Sequence, residues 1–201
     1  MISRLKPTVG KALSEFPARL LTKAYLTPNA LTIIGLLLSV FTGWVLATGH
    51  LFIGGFLVLF AGWFDMLDGA MARITGKTTR FGALLDSSVD RLSEAALFGG
   101  LIFFYSDRGD TLEVVLAYAA IIGSIMVSYS RARAEGLGLK GEAGLLARPE
   151  RLVLLTLGLL LSKVTPTALV VVLWILAIGA NFTALRRLTY AWQQSRKDES
   201  Q

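Results

Sequence analysis

The chain has 201 residues, 54% of them hydrophobic and 17% charged, with a formal net charge of +6. Soluble domains hold about 45–50% apolar residues even when glycine is counted, so an ordinary soluble domain is excluded. Cysteine is absent and histidine occurs once, at His50, which rules out disulfides, thiolate ligands and an imidazole metal centre. Any metal bound here must be a hard, oxygen-seeking ion such as Mg2+ or Mn2+. The apolar residues fall in blocks of membrane-spanning length, so the expected fold is all-α: a six-helix transmembrane bundle preceded by an amphipathic juxtamembrane helix.

In residues 1–25, Ile2, Leu5, Val9, Leu13, Phe16 and Leu20 recur every three or four positions with lysine and arginine between them. That pattern suits a helix lying on an anionic leaflet, or one packed against the bundle. Pro7 fits an early turn, whereas Pro17 should kink the helix. The first apolar block begins near Leu31, too far in for a cleavable signal peptide. Thr27-Pro28-Asn29 reads as a helix start with proline near its first position.

Six hydrophobic helices are predicted, at about 30–48, 51–73, 82–105, 112–134, 150–163 and 166–186. The short turn between the first two holds His50, read as a plain solvated residue. The fifth is short for a hydrocarbon layer of about 30 Å. It gains length from a tilted start near Arg148-Pro149, or it contacts the bundle instead of lipid. The expected organisation is a surface helix over 1–25, a membrane domain over 26–190 and a tail over 191–201. Basic residues crowd the N-terminal stretch, the 73–81 and 131–151 connections and the tail, while the opposite side holds only Arg108 and Lys163. The positive-inside rule then puts both termini in the cytoplasm, in a multi-pass protein of the cell membrane. The net positive charge is accounted for by these loops and by attraction to anionic lipid, and no nucleic-acid site is expected.

The most informative residues are four carboxylates, Asp65, Asp68, Asp86 and Asp90, in or beside the second and third apolar segments. One aspartate at the centre of a membrane helix costs roughly 2.5–3.5 kcal/mol on insertion scales, and four unmatched ones would cost about 10–14 kcal/mol. Asp65, Asp68, Gly69, Ala72 and Arg73 share one helix face, and Gly82, Asp86 and Asp90 stack at four-residue intervals on the next. The short connection makes these helices antiparallel neighbours, so the four acids can converge at one depth. Gly69, Ala72 and Gly82 leave room for something to approach the backbone closely. Without histidine or cysteine, such a cluster suggests two hard cations, which can neutralise and orient a diphosphate. Arg73 lies on the same face and can hold a phosphate or ribose oxygen. Two other readings stand beside this one. The acids could seal a helix interface by pairing with Arg73, Arg80 and Arg91, or they could line a cation pathway, although the outer halves of these helices are almost wholly apolar.

The pattern Asp65-x-x-Asp68-Gly69-x-x-Ala72-Arg73, eight residues, Gly82-x-x-x-Asp86-x-x-x-Asp90 resembles, at every specified position, the signature of the CDP-alcohol phosphatidyltransferases. These enzymes move a phosphatidyl group from a CDP-linked lipid to an alcohol and release CMP. The resemblance implies that Asp65, Asp68 and Asp86 ligate the metals, and that Asp90 is a further ligand or the general base for the acceptor hydroxyl. It implies that Gly69, Arg73 and Thr79 contact the cytidine diphosphate and that Pro28, Asn29, Ala30 and Leu31 border the same site. It also implies a homodimer.

Ser128–Glu135 and Arg148-Pro149-Glu150-Arg151 concentrate charge beside the motif. The bland reading is ordinary cytoplasmic charge; the sharper one is a pocket for a second phosphate. Both segments, and Phe64–Arg73, resemble the prokaryotic phosphatidylinositol phosphate synthases within the family. That resemblance implies an acceptor-phosphate pocket of Arg131, Arg151 and Arg187, with inositol 1-phosphate as acceptor and glycerol 3-phosphate or another polyol phosphate as the alternative. Two departures bear on this pocket: lysine is frequent in the subfamily where Arg131 stands, and Glu94-Ala95 replaces a more usual Asp-Gly.

Overall fold

The structure is a computed structural model that describes residues 26–76, 78–139 and 146–198. The expected amphipathic helix over 1–25 lies outside the described residues. The described residues form six helices and no strands: α1 (Pro28–Ala47), α2 (Leu51–Thr75), α3 (Arg80–Asp107), α4 (Thr111–Gly136), α5 (Arg148–Leu161) and α6 (Thr167–Asp198).

Local chemistry sets the ends of these helices. Thr27 caps α1, its hydroxyl oxygen accepting the Ala30 N–H at 3.2 Å, and Pro28 occupies the first turn. Thr79 caps α3 in the same way, accepting the Gly82 N–H at 2.9 Å. Both satisfy a backbone donor that the helix itself cannot. Helix α2 stops at Gly76, whose φ of 64° is the left-handed conformation that closes helices and that glycine adopts without a Cβ penalty. His50 is exposed at the start of α2, its Nδ1 3.0 Å from the Thr48 hydroxyl, in keeping with the solvated turn expected for it.

Four of the six helices are long and apolar enough to cross a membrane: α1, α2, α4 and α6. The other two differ from the sequence expectation for separate reasons. Helix α3 has 28 residues, but Asp86, Asp90, Arg91 and Glu94 interrupt its apolar run. Helix α5 has 14 residues, about 21 Å at 1.5 Å per residue. At the other end of the chain, α6 runs to Asp198, beyond the expected limit near 186 and through most of the expected tail. No proline or glycine interrupts 187–198, and Arg196 and Lys197 in the last turn complement the helix dipole.

Helix contacts close a ring in the order α1, α2, α5, α6, α4, α3 and back to α1. Its interior is filled by Phe98, Leu101, Leu155, Leu159, Leu173 and Leu176, all essentially buried. Helices α1 and α3 run parallel and touch backbone to backbone. A Cβ added at Gly100 would meet the Gly43 carbonyl, and one at Gly43 would meet the Ala96 carbonyl. Small residues at such a seam let helices approach to van der Waals distance without a hydrophobic driving force. This seam holds the first turns of α1 and α3 side by side, where Asn29 faces Gly82.

Filling the seam should therefore unsettle the whole molecule. Gly100→Val is expected to cost about 1–3 kcal/mol through overpacking and to lower the melting temperature in detergent by about 3–10 °C. Gly99→Val, at a position where an added Cβ meets nothing within 4 Å, serves as the control and should melt close to the parent chain.

Candidate active site and metal centre

The polar residues of the apolar helices gather at the end that carries the starts of α1, α3 and α5. A cavity of about 210 Å3 opens there, lined by Pro28, Asn29 and Thr32 of α1, by Asp68, Gly69 and Arg73 of α2, and by Thr79, Gly82 and Asp86 around the start of α3. Helix periodicity brings Asp68 and Arg73 to one face, and the parallel α1–α3 seam supplies the facing wall. Gly82 is needed as a small residue: an added Cβ would lie 3.0 Å from the Thr79 hydroxyl oxygen and 3.3 Å from Asn29 Oδ1.

Three of the four aspartates converge. Asp65, Asp68 and Asp86 each offer a carboxylate oxygen, and the three oxygens lie within 4.8 Å of one another. That spacing lets all three sit about 2.0–2.6 Å from one shared ion, the range for Mg2+ and Ca2+. The donor set is oxygen alone, so the residues fit a hard divalent cation. Asp68 is buried and held in place: the Thr32 hydroxyl donates to its Oδ2 at 2.6 Å, and the Gly69 N–H donates to its Oδ1 at 2.5 Å.

Asp90 stands apart from this trio and joins it through a cation. Arg148 Nη1, at the start of α5, lies 2.5 Å from Asp65 Oδ2 and 2.7 Å from Asp90 Oδ1. The expected convergence of four carboxylates is thus a cluster of three, with Asp90 tied to Asp65 by an arginine. Among the described residues, the motif's ion pairs are made by Arg148 and none by Arg73, Arg80 or Arg91; Arg91 Nη1 donates instead to the Ser87 carbonyl.

A second cavity, of about 270 Å3, is lined by Asp90 and brings Arg131, Arg151 and Arg187 together with Arg148. The three predicted phosphate ligands are not equivalent. Arg131 is exposed and pairs with Glu135 at 2.8 Å. Arg187 is largely buried, with Nη1 donating to the Val127 carbonyl at 2.5 Å. Arg151 is 1% exposed, and three of its five N–H groups are engaged: Nε and Nη2 grip Glu94 at 2.9 and 2.7 Å, and Nη1 donates to the Leu146 carbonyl at 3.0 Å. Glu94, a departure from the subfamily pattern, is the buried counter-ion of an expected ligand.

The predicted donor-site stretch divides in two. Pro28 and Asn29 line the first cavity, whereas Leu31 is buried in an apolar cluster with Leu67, Ala70 and Met71, and the Ala30 N–H is spent on the Thr27 cap. Sequence reasoning missed Thr32, Glu94 and Arg148 as site residues. Thr32 carried a weak signal, being a polar residue one turn after Pro28 in a helix whose other polar side chains are Asn29, Ser39 and Thr42. Arg148 was visible only as one of several basic residues in its segment.

Comparison with known proteins agrees with this geometry. The sequence profile described as CDP-alcohol phosphatidyltransferase matches residues 25–185. The phosphatidylinositol phosphate synthase of Mycobacterium marinum is 44% identical over 181 residues, covering 87% of this chain and 77% of that one. The archaetidylinositol phosphate synthase of Pyrococcus horikoshii is 34% identical over 191 residues, covering 94% and 98%. Among solved structures, the Mycobacterium tuberculosis phosphatidylinositol phosphate synthase with CDP-DAG bound superposes with a TM-score of 0.84 at 40% identity, covering 89% of this chain and 93% of that one. The same enzyme in complex with manganese and citrate gives a TM-score of 0.83, covering 89% and 88%. The profile match, the shared fold and the intact acidic signature make this chain a member of the CDP-alcohol phosphatidyltransferase family.

Proposed function

We propose that this protein transfers the phosphatidyl group of CDP-diacylglycerol to inositol 1-phosphate, forming phosphatidylinositol phosphate and releasing CMP. The observation that carries the reading is a pair of cavities at one end of the bundle, one lined by Asp68 and Asp86 of the trio and the other rich in arginine and lined by Asp90. The names of the relatives and the CDP-DAG bound in the neighbouring structure support the two substrates.

In this reading the cavity at Asn29, Gly69, Arg73 and Thr79 takes the cytidine diphosphate end of the donor. Asp65, Asp68 and Asp86 would hold Mg2+ or Mn2+, with Asp90 completing a pair of ion sites. Such ions supply charge neutralisation for the diphosphate and for the departing CMP. The chain's own residues do the rest. Thr32 keeps the Asp68 carboxylate aimed into the site. Arg131 and Arg187 hold the acceptor's phosphate, while Arg151, fixed by Glu94, shapes the wall behind it. Asp90 accepts the proton of the acceptor hydroxyl as its oxygen bonds to the phosphatidyl phosphorus, and the bond from that phosphorus to the CMP oxygen breaks. A conduction path for cations is disfavoured by the ring interior below the site, which is filled by Phe98, Leu101, Leu155 and Leu173.

We further propose that all six helices lie in the membrane, α3 and α5 being shielded by their neighbours, with residues 1–25 as a surface helix, 26–190 as the membrane domain and 191–201 as a cytoplasmic extension. The excess of lysine and arginine at the end carrying the site supports a cytoplasmic active site and cytoplasmic termini. Exposed apolar residues such as Val153, Leu157, Val171, Trp174 and Ile178 suit contact with lipid and with a second copy in a homodimer.

Three measurements test the reading. Purified protein given CDP-diacylglycerol and Mg2+ should release CMP with inositol 1-phosphate; release with glycerol 3-phosphate alone would overturn the acceptor assignment. Asp90→Asn should lower turnover by about 10²–10⁴-fold, while donor binding, followed by calorimetry, changes little. Arg131→Ala should raise the acceptor KM by about 10–100-fold, as expected for lost charge-assisted hydrogen bonds, and leave the donor KM unchanged.

A further inference from the structure

We propose that Arg148 is a positioning residue that competes with the divalent cation for Asp65 and aims Asp90 at the acceptor cavity. Its role toward Asp90 rests on the functional reading above; its competition for Asp65 does not.

Arg148 enters the site from an element remote from the acidic signature. It is the first residue of α5, preceded by the extended Ala147, and Pro149 stands in the first turn, where its missing N–H costs no helix bond. Its side chain is about four-fifths buried, at 22% exposure. Taking a guanidinium out of water is expensive unless carboxylates surround it. Here two do, and both contacts converge on one nitrogen, Nη1. Nε is buried without a hydrogen-bond partner, so the carboxylates are what keep the group inside.

Asp65 has two claimants. It contributes an oxygen to the trio that fits a divalent ion, and its Oδ2 is engaged by Arg148. A fixed positive charge on a metal ligand draws electron density from it and repels the ion, so Arg148 must weaken cation binding relative to a chain without it. The compensation lies at Asp90. Its Oδ1, buried and without a hydrogen-bond partner, is held by charge alone, 2.7 Å from Arg148 Nη1, and the residue borders the acceptor cavity. Arg148 also borders this cavity and, with Asp65, Glu94 and Ser93, a smaller space beside it. It therefore stands between the ion site and the acceptor site. Charge balance points the same way. Four carboxylates and Arg148 carry −3, and two divalent ions would bring the cluster to +1, a surplus that suits an incoming phosphate.

The test compares Mn2+ affinity, read by electron paramagnetic resonance, with CMP release for the parent chain, Arg148→Gln and Arg148→Lys. Arg148→Gln should bind Mn2+ at least about threefold more tightly, since a like charge is removed beside the ion. Its turnover should nevertheless fall by at least about tenfold as Asp90 loses its anchor, with the donor KM unchanged. Arg148→Lys, which keeps the charge, should retain the parent Mn2+ affinity and recover part of the turnover. Loosened packing would weaken metal binding and turnover together, so unchanged or weaker Mn2+ binding in Arg148→Gln overturns the proposal. Arg148→Lys matching Arg148→Gln in Mn2+ affinity does the same. If the parent chain released no CMP with any acceptor, the functional reading would fall, while the Mn2+ comparison would still decide the competition.

Discussion

Carboxylates can be carried into an assembly of apolar helices only if positive charge goes with them, and the architecture of this protein follows from how that charge is supplied. The trio of Asp65, Asp68 and Asp86 fits an ion from outside. Asp90 and Asp65 Oδ2 take a guanidinium from the chain itself. Glu94 takes another. Each solution needs its own geometry: helix periodicity for the trio, and long-range contacts with α5 for the two arginines. The short α5 is thus the element that brings two of the compensating charges, Arg148 and Arg151, to the acids of α2 and α3.

The site's precision depends on elements that carry no charge. The glycine seam between α1 and α3 sets the distance between Asn29 and Gly82, and the packing of α1 on α2 places Thr32 within hydrogen-bond reach of Asp68. A hydroxyl donating to a buried carboxylate stabilises the ionised form and fixes its orientation. Fold stability and site geometry therefore share the same contacts, and the apolar interior of Phe98, Leu101 and Leu173 works as the rigid floor on which the polar layer rests.

The parts of this arrangement legible in the sequence were those set by local spacing. Asp65, Asp68 and Arg73 share a face because of helix periodicity, but the expected antiparallel packing of α2 on α3 is not what forms: each helix packs on α1, which stands between them in the ring, and Asp86 reaches the acids of α2 from that position. Helix caps at Thr27 and Thr79 follow from residue type. What escaped were contacts between distant segments. Arg148 meets Asp65 across 83 residues, Arg151 meets Glu94 across 57, and Thr32 meets Asp68 across 36. Composition offered several arginines of equal standing, and nothing local told Arg148 from Arg73, Arg80 or Arg91 as the partner of the acids. The spans show the same division: α1, α2, α4 and α6 announce themselves by apolar length, whereas α3 and α5 owe their positions to their neighbours.

The forked grip of Arg151 on Glu94 has an evolutionary corollary. Both groups are sealed from solvent, and removing either strands the other in a low-dielectric interior at a penalty of about 3–5 kcal/mol. Neither position can drift alone. Descendants of this sequence should exchange the acid and the arginine in concert or keep both, so the two columns of a future alignment would vary as one character.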